Sequence, residues 1–430
     1  MMTNPRFSNQ RLDKSHPELC KAIAQRIEDA PHQHITFAEF MDLALYHPEF
    51  GYYTSPQQRI GGKGDFVTSP HLGSDFGELL AEQFAEIWAV MGYPRPFHLV
   101  EMGAGQGLIV RDILHYLHRV HFDCFEAIEY LIIERSATLI AEQRQQTASL
   151  ADAQARIRWC TWDDIAPDSI TGCFFSNELV DAFPGHQLVL KDDQWQEIYV
   201  VLAASSLNSV SPPTASPLSP SASSRAQFAE ITAPLSTPRL QDYFSWLGLK
   251  IDPTRYTSGY RTEVNLAALD WMETVASRLH RGYVLTIDYG YSASRYYSPA
   301  RAQGTLQCYY QHAHHSDPYQ YIGHQDITTH VDFSALERRG EETGLKTLNR
   351  IEQGLFLMAL GLGDRLAALS KPETIQSLSA NDVLQRRDAL HALINPMGLG
   401  NFQVLLQSKA LSEDITHQLL KGFTIHLLDR

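Results

Sequence analysis

The sequence predicts an open α/β fold, a mostly parallel sheet wound on both faces by helices. Three observations predict it. The apolar run 97–100 ends in Glu101, passes Gly103, Gly105 and Gly107, and resumes with apolar residues at helical spacing. Further short apolar runs that end in acids or amides alternate with helical stretches downstream. The 430 residues are enough for one large core or two smaller ones.

The elements follow in order. Ser15-x-x-Glu18 has the spacing of a capping box and opens a helix carrying Leu19, Ile23 and Ile27. Thr36-x-x-Glu39 opens a second helix, which should stop at His47-Pro48 because proline pushes the preceding residue out of the helical region. Glycines, hydroxyls and aromatics in 50–53 and 61–70 predict a mobile lid that ends in Thr68, Ser69 and Pro70. An amphipathic helix carrying Phe76, Leu80, Phe84 and Trp88 then ends at Gly92.

The stretch 97–114 predicts strand, tight turn and helix. Glycine permits positive φ and lets a ligand lie against the backbone. The helix start turns free N–H groups toward that ligand. Strand 130–134 ends in Glu134, where an acid can take both hydroxyls of a ribose. Strand 156–160 precedes Asp163 and Asp164, and strand 173–178 ends in Asn177 and Glu178. Open α/β sheets bind ligands at the carboxyl ends of their strands. Glu101, Glu134, Asp163 or Asp164, Asn177 and Glu178 should therefore meet in one crevice.

A hairpin is expected from 186–190 and 195–202, turning at Asp192-Asp193. Residues 203–226, rich in Ser, Pro and Ala, are expected to be a disordered, dispensable insertion. A helix over 263–279, a fifth strand over 283–288 and a last strand over 402–407 complete the pattern.

Composition narrows the function. The formal net charge is -14 and no long basic run occurs, which argues against a nucleic-acid substrate. The five cysteines are scattered without a C-x-x-C, so a reducing compartment is expected and a cysteine-built zinc site is not. His312, His314 and His315 lack carboxylates at ligand spacing, so no metal is expected. No apolar run is long enough to span a bilayer, and the polar N-terminus lacks a signal core. A cytoplasmic protein is expected, or a mitochondrial-matrix one in a eukaryote.

A dinucleotide fingerprint, G-x-G-x-x-G, would need glycine where Leu108 stands. The pattern here, E-x-G-x-G-x-G, is that of S-adenosyl-L-methionine (SAM) methyltransferases, although an ordinary glycine-rich turn in another enzyme would share it. SAM offers a carboxylate, an ammonium, a sulfonium and a ribose, and no pyrophosphate. The expected SAM-binding residues are Glu101, Gly103, Ala104, Gly105, Gly107, Glu134, Asp163, Asp164 and Asn177, with Thr68, Ser69 and Pro70 from the lid.

Longer motifs carry a resemblance. They are Gly51-Tyr52-Tyr53, Gly64-Asp65-Phe66-Val67-Thr68-Ser69-Pro70, Asn177-Glu178-Leu179-Val180-Asp181-Ala182-Phe183-Pro184, Asp288-Tyr289-Gly290 and the stretch from Gln325 to Phe333. With the glycine turn, they resemble the MidA family of SAM-dependent methyltransferases. Mitochondrial members of that family are arginine methyltransferases needed to assemble respiratory complex I. The resemblance spans about residues 35–407, and the Ser/Pro-rich insertion is its one departure.

The resemblance implies a Rossmann-like, class I methyltransferase sheet of seven strands, the last antiparallel, with additional helical elements. It divides the chain into a helical and lid segment (1–95), the methyltransferase domain (96–407) and a tail (408–430). It implies dimethylation of an arginine in the complex I subunit next to the quinone site. A homodimer is left open. Arginine stays protonated, so it needs carboxylates to orient its fork. Glu178 and Asp181 are the first candidates, with Asp326 and His330 second. Two other functions compete: methylation of a small molecule or another protein residue, and a non-catalytic SAM-binding assembly factor.

Overall fold

The computed structural model describes residues 15–55, 68–148, 156–203, 228–372 and 379–424. Seven strands form the main sheet: β1 (Phe97–Met102), β2 (Ile128–Ile133), β3 (Ile157–Cys160), β4 (Ile170–Asn177), β5 (Leu279–Asp288), β6 (Lys346–Glu352) and β7 (Gln403–Lys409). Their order is β6-β7-β5-β4-β1-β2-β3. The pairs β1–β2, β1–β4, β2–β3 and β4–β5 are parallel, while β7 runs antiparallel to both β5 and β6. This is the seven-stranded arrangement with an antiparallel last strand that the family resemblance implies.

Helices cover both faces, which is why these strands are near-continuous apolar runs. Side chains alternate across the sheet. Leu99, Tyr130 and Phe175 pack with α1 (Asp75–Val90) and α2 (Leu108–Val120) on one face. Val100, Leu131, Phe174 and Val284 pack with α3 (Leu266–Arg278) and α4 (Phe333–Glu342) on the other. The chain leaves β1 toward β2 on one side and returns to β4 on the other. That reversal opens a crevice at the carboxyl ends of the strands.

A second, antiparallel sheet holds His186–Lys191, Gln194–Leu202, Phe228–Ala233, Arg261–Val264 and the short strand Ile35–Thr36. Asp192 (φ 50°) and Asp193 (φ 61°) make its tight hairpin turn, as expected from the sequence. Ile35 and Thr36 pair with Val200 and Tyr199 and bring the N-terminal helices onto this sheet. Leu19, Ile23, Phe40 and Leu45 pack there against Val200 and Ile327. The helix Phe37–Tyr46, capped by Thr36, stops before His47-Pro48 and thereby ends at the crevice.

Several expectations need correction. The first helix runs Pro17–Asp29, and its cap is His16, whose Nδ1 accepts from Leu19 N at 3.4 Å. Ser15 is not the cap, because its Oγ accepts from Ile322 N. Glu263 lies in a strand and not in a helix, since its carboxylate accepts from Thr305 N and Oγ1. Asn265 caps α3 instead, accepting from Ala268 N at 2.9 Å. Strands Phe228–Ala233, Arg261–Val264 and β6 were not anticipated.

Helix α1, ahead of residue 96, packs on the main sheet, and β7, Leu420 and Phe423 continue the core past residue 407. Residues 61–67 of the expected lid and 204–226 of the expected insertion lie outside the described residues. Among the described residues no helix is long and apolar enough to cross a membrane.

Candidate active site

A cavity of about 670 Å³ occupies the crevice. Its floor is the glycine turn. Gly103 N donates to Ile133 O at 3.2 Å, which continues the β1–β2 ladder into the turn. Gly103 (φ 72°) and Gly105 (φ 49°) have left-handed backbones that favour glycine. A Cβ built on Gly105 would meet nothing within 4 Å, so this backbone borders open space. Gly103, Ala104 and Gly105 line the cavity. Gly107 does not. It caps α2 at φ 81° and lies close to Gln143.

Gln143 braces this floor from α5 (Ala137–Thr147). Its Nε2 donates to Gly105 O at 2.8 Å and to Glu134 Oε2 at 3.4 Å, while its Oε1 accepts from Trp159 Nε1. Glu134 follows β2, and its Oε1 accepts from Arg135 N at 2.8 Å and Ser136 N at 2.9 Å. Both Glu134 and Arg135 line the cavity. Burial holds the Glu134 carboxyl above the usual range.

Of the two acids after β3, Asp163 lines the cavity. Asp164 turns away to cap its own turn, accepting from Thr161 N and Oγ1. Glu101 does not line the cavity either. It follows the strand alternation onto the face of Leu99, where Tyr130 donates to its Oε2 at 2.6 Å. Burial pushes the Glu101 carboxyl up to about 8.

The other half of the cavity begins where β4 ends. Glu178 lines it and has φ 52°, a left-handed conformation that costs a non-glycine residue about 1 kcal/mol or more. Asp288, fully buried at the end of β5, imposes that turn. Its Oδ2 accepts from the N–H groups of Leu179, Val180 and Asp181, and its Oδ1 from Tyr289 N. Glu178 Oε1 accepts from Asn177 Nδ2 at 3.0 Å and from Ser69 N at 3.3 Å. Among the described residues no cationic side chain pairs with Glu178. Burial, followed by the neighbouring Asp181, pushes its carboxyl up to about 8.

The remaining predicted residues separate. Asp181 is buried behind the wall, and burial pushes it up to about 6. Asp326 is also behind the wall, and its Oδ1 accepts from the hydroxyl of Tyr53, which does line the cavity. His330 is off the wall. Its ring stacks on Tyr291 at 5.0 Å, and burial pushes its pKa down to about 4, so it is neutral at pH 7. Thr68 and Pro70 line the cavity, while Ser69 contributes its N–H to Glu178 and its Oγ accepts from Gln353.

Sequence reasoning missed Asp42, Tyr46, His71, Arg135 and Gln143. His71 joins Thr68 Oγ1 (2.7 Å) to Gln106 Oε1 (2.9 Å), bridging the residues beside Glu178 to the glycine turn. Gln143 gave no signal, because its helix has no apolar stripe and buries Thr147 and Gln143 beside Leu139. Tyr46 gave none beyond its place at a helix end.

The chain matches the model of a family described as S-adenosyl-L-methionine-dependent methyltransferases over residues 79–351. It is 27% identical to the mitochondrial protein arginine methyltransferase NDUFAF7 homolog of Drosophila melanogaster, covering 84% of this chain and 79% of that one. It is 28% identical to mitochondrial protein arginine methyltransferase NDUFAF7 of Homo sapiens, covering 88% and 81%. A Burkholderia thailandensis protein solved with bound S-adenosyl-homocysteine superposes with a TM-score of 0.77, at 29% identity and over 95% of each chain.

Proposed function

We propose, from the premise that the chain belongs to the S-adenosyl-L-methionine-dependent methyltransferase family, that it methylates a guanidinium nitrogen of a protein arginine. The observation that carries this reading is Glu178, a half-buried carboxylate on the cavity wall without a cationic partner among the described residues. The names of the relatives, protein arginine methyltransferases, support it.

The residues of the crevice fit the cofactor. Space at Gly105 admits a ligand against the backbone. Glu134, braced on one oxygen by two backbone N–H groups, keeps lone pairs for a ribose diol. Asp163 and Asn177 add polar contacts along the same wall. When bound, SAM supplies a methyl group on a positively charged sulfur, already activated toward a nitrogen.

The protein's own contribution is positional and electrostatic. Ser69 N and Asn177 Nδ2 fix Glu178 Oε1, which leaves Oε2 to grip one edge of a guanidinium. Burial excludes water and strengthens that contact. Glu178, ionised beside the guanidinium, also takes the proton that the guanidinium nitrogen gives up, since burial raises its affinity for one.

The family resemblance extends the proposal to the acceptor, an arginine of the complex I subunit beside the quinone site, dimethylated as an aid to assembly. The relatives are named mitochondrial, and this chain would act in the matrix or, in a bacterium, in the cytoplasm. The test is incubation with labelled SAM and a lysate of the same cell that contains that subunit, with mass spectrometry locating the label. Label on arginine is the expected result. Label on lysine, or only on a small metabolite of the lysate, overturns the reading.

A further inference from the structure

We infer that Tyr46 is a positioning residue that ties the two halves of the cavity together, its ring serving the cofactor half and its hydroxyl the acceptor half. The inference rests on the reading above for what each half binds. Tyr46 is the last residue of the helix Phe37–Tyr46 and belongs to the N-terminal segment, outside the main sheet. It lines the cavity together with Arg135 and Glu178.

The ring end is a cation–π contact. The Arg135 guanidinium carbon lies 4.3 Å from the centroid of the Tyr46 ring. Tyr53 stacks on the same ring at 5.5 Å and 23°, and is itself anchored to Asp326. Arg135 is the residue whose backbone N–H orients Glu134 Oε1. Pinning its side chain to Tyr46 therefore fixes the peptide that aims Glu134 at the ribose.

The hydroxyl end is a hydrogen bond. Tyr46 Oη donates to Ala182 O at 3.0 Å. Ala182 closes the short helix Val180–Ala182, whose other end Asp288 holds through the N–H groups of Leu179, Val180 and Asp181. That turn begins at Glu178. Burial raises the Tyr46 phenol above its ordinary value, so it stays protonated and remains a donor. One side chain from an N-terminal helix thus fixes both the turn after Glu178 and the loop after Glu134.

The two ends can be removed separately. Tyr46→Phe keeps the ring and deletes the hydroxyl. It should leave the SAM Kd unchanged, weaken binding of Nα-acetyl-arginine amide roughly fivefold, and speed amide exchange over residues 179–183. Arg135→Ala should do the converse: the SAM Kd rises about three- to tenfold, and exchange over 179–183 is unchanged. Arg135→Lys should recover part of that loss, because an ammonium also sits over an aromatic face.

Calorimetry and exchange mass spectrometry on the full chain read each arm, with melting curves to confirm folding. If Tyr46→Phe weakens SAM as much as the arginine probe, or Arg135→Ala leaves the SAM Kd unchanged, the assignment fails. A wild-type protein that binds SAM but not the arginine probe would defeat the acceptor reading alone. The SAM Kd of Arg135→Ala and the exchange of residues 179–183 in Tyr46→Phe would still decide the two-ended role.

Discussion

Gly105 and Glu134 make the cofactor proposal testable one side chain at a time. A valine at Gly105 would project into the open space beside a φ of 49°, filling the room a ligand needs. Gly105→Val should abolish SAM binding, and Glu134→Ala should weaken it by roughly 1.5–3 kcal/mol, the range for hydrogen bonds to a charged group. Calorimetry on folded variants checks both, and unchanged affinity in both would remove the assignment.

Glu178 makes a second prediction, in pH. Its folded carboxyl is pushed up to about 8 from an ordinary value of 4.5. The folded state therefore binds the proton more tightly than the unfolded state. The stability this contributes is fully present below about pH 4.5 and is lost as pH rises to about 8. A guanidinium beside Glu178 favours the charged form, so affinity for Nα-acetyl-arginine amide should climb as pH rises toward about 8 and level off above it. Glu178→Gln should flatten that rise, and a rise that survives in this variant would assign it to another group.

Residues at strand ends were legible in the sequence, because a strand end fixes where its next side chain sits. Glu134, Asp163, Asn177 and Glu178 all reach the cavity for that reason. Asp326 and His330 lie in a long loop, where spacing says nothing of side-chain direction, and they sit behind or away from the wall.

Among elements, the turn after β4 depends on a residue from another strand. Asp288→Ala would strip the acceptor from four backbone N–H groups. Unfolding free energy should fall by about 2–4 kcal/mol, and methyl transfer should be lost even where the variant remains folded. Denaturant titration beside an activity assay reads both. A folded, active Asp288→Ala enzyme would mean that Glu178 holds its left-handed turn without this brace.

The second sheet gives another test. Leu202 and Phe228 face each other across paired strands, so residues 204–227 join two strand ends already in register. Replacing them with a short Gly-Asn turn should leave Tm and SAM affinity nearly unchanged. A large loss of either would show that the segment serves the fold. These strands were hard to foresee for a physical reason. Phe228–Ala233 buries none of its residues, and Arg261–Val264 buries a glutamate, so neither carries the apolar run of a main-sheet strand.

At the scale of the molecule, the main sheet was legible except for its edge strand β6, because burial on both faces writes the inner strands as apolar runs, whereas β6 is mostly polar and half exposed. The wall contributed by Asp42 and Tyr46 was not legible. Those residues reach the cavity only because Ile35–Thr36 joins the second sheet and carries the N-terminal helix across to the crevice. No local pattern encodes that placement. The whole then consists of a methyltransferase sheet that offers a cofactor floor and a second layer that closes the acceptor side. The acids along the wall, Asp42, Glu134, Asp163 and Glu178, together with a net charge of -14, suit an acceptor that is always cationic.

Whether Glu178 grips a guanidinium during transfer is decided by SAM affinity and kcat for arginine methylation in wild type and Glu178→Gln. The substitution keeps the shape and removes the charge. The variant should keep the SAM Kd and show a kcat lower by about 10²–10³, the loss typical of one preorganised group that acts mainly in the transition state. A variant that methylates arginine as fast as wild type would contradict that grip.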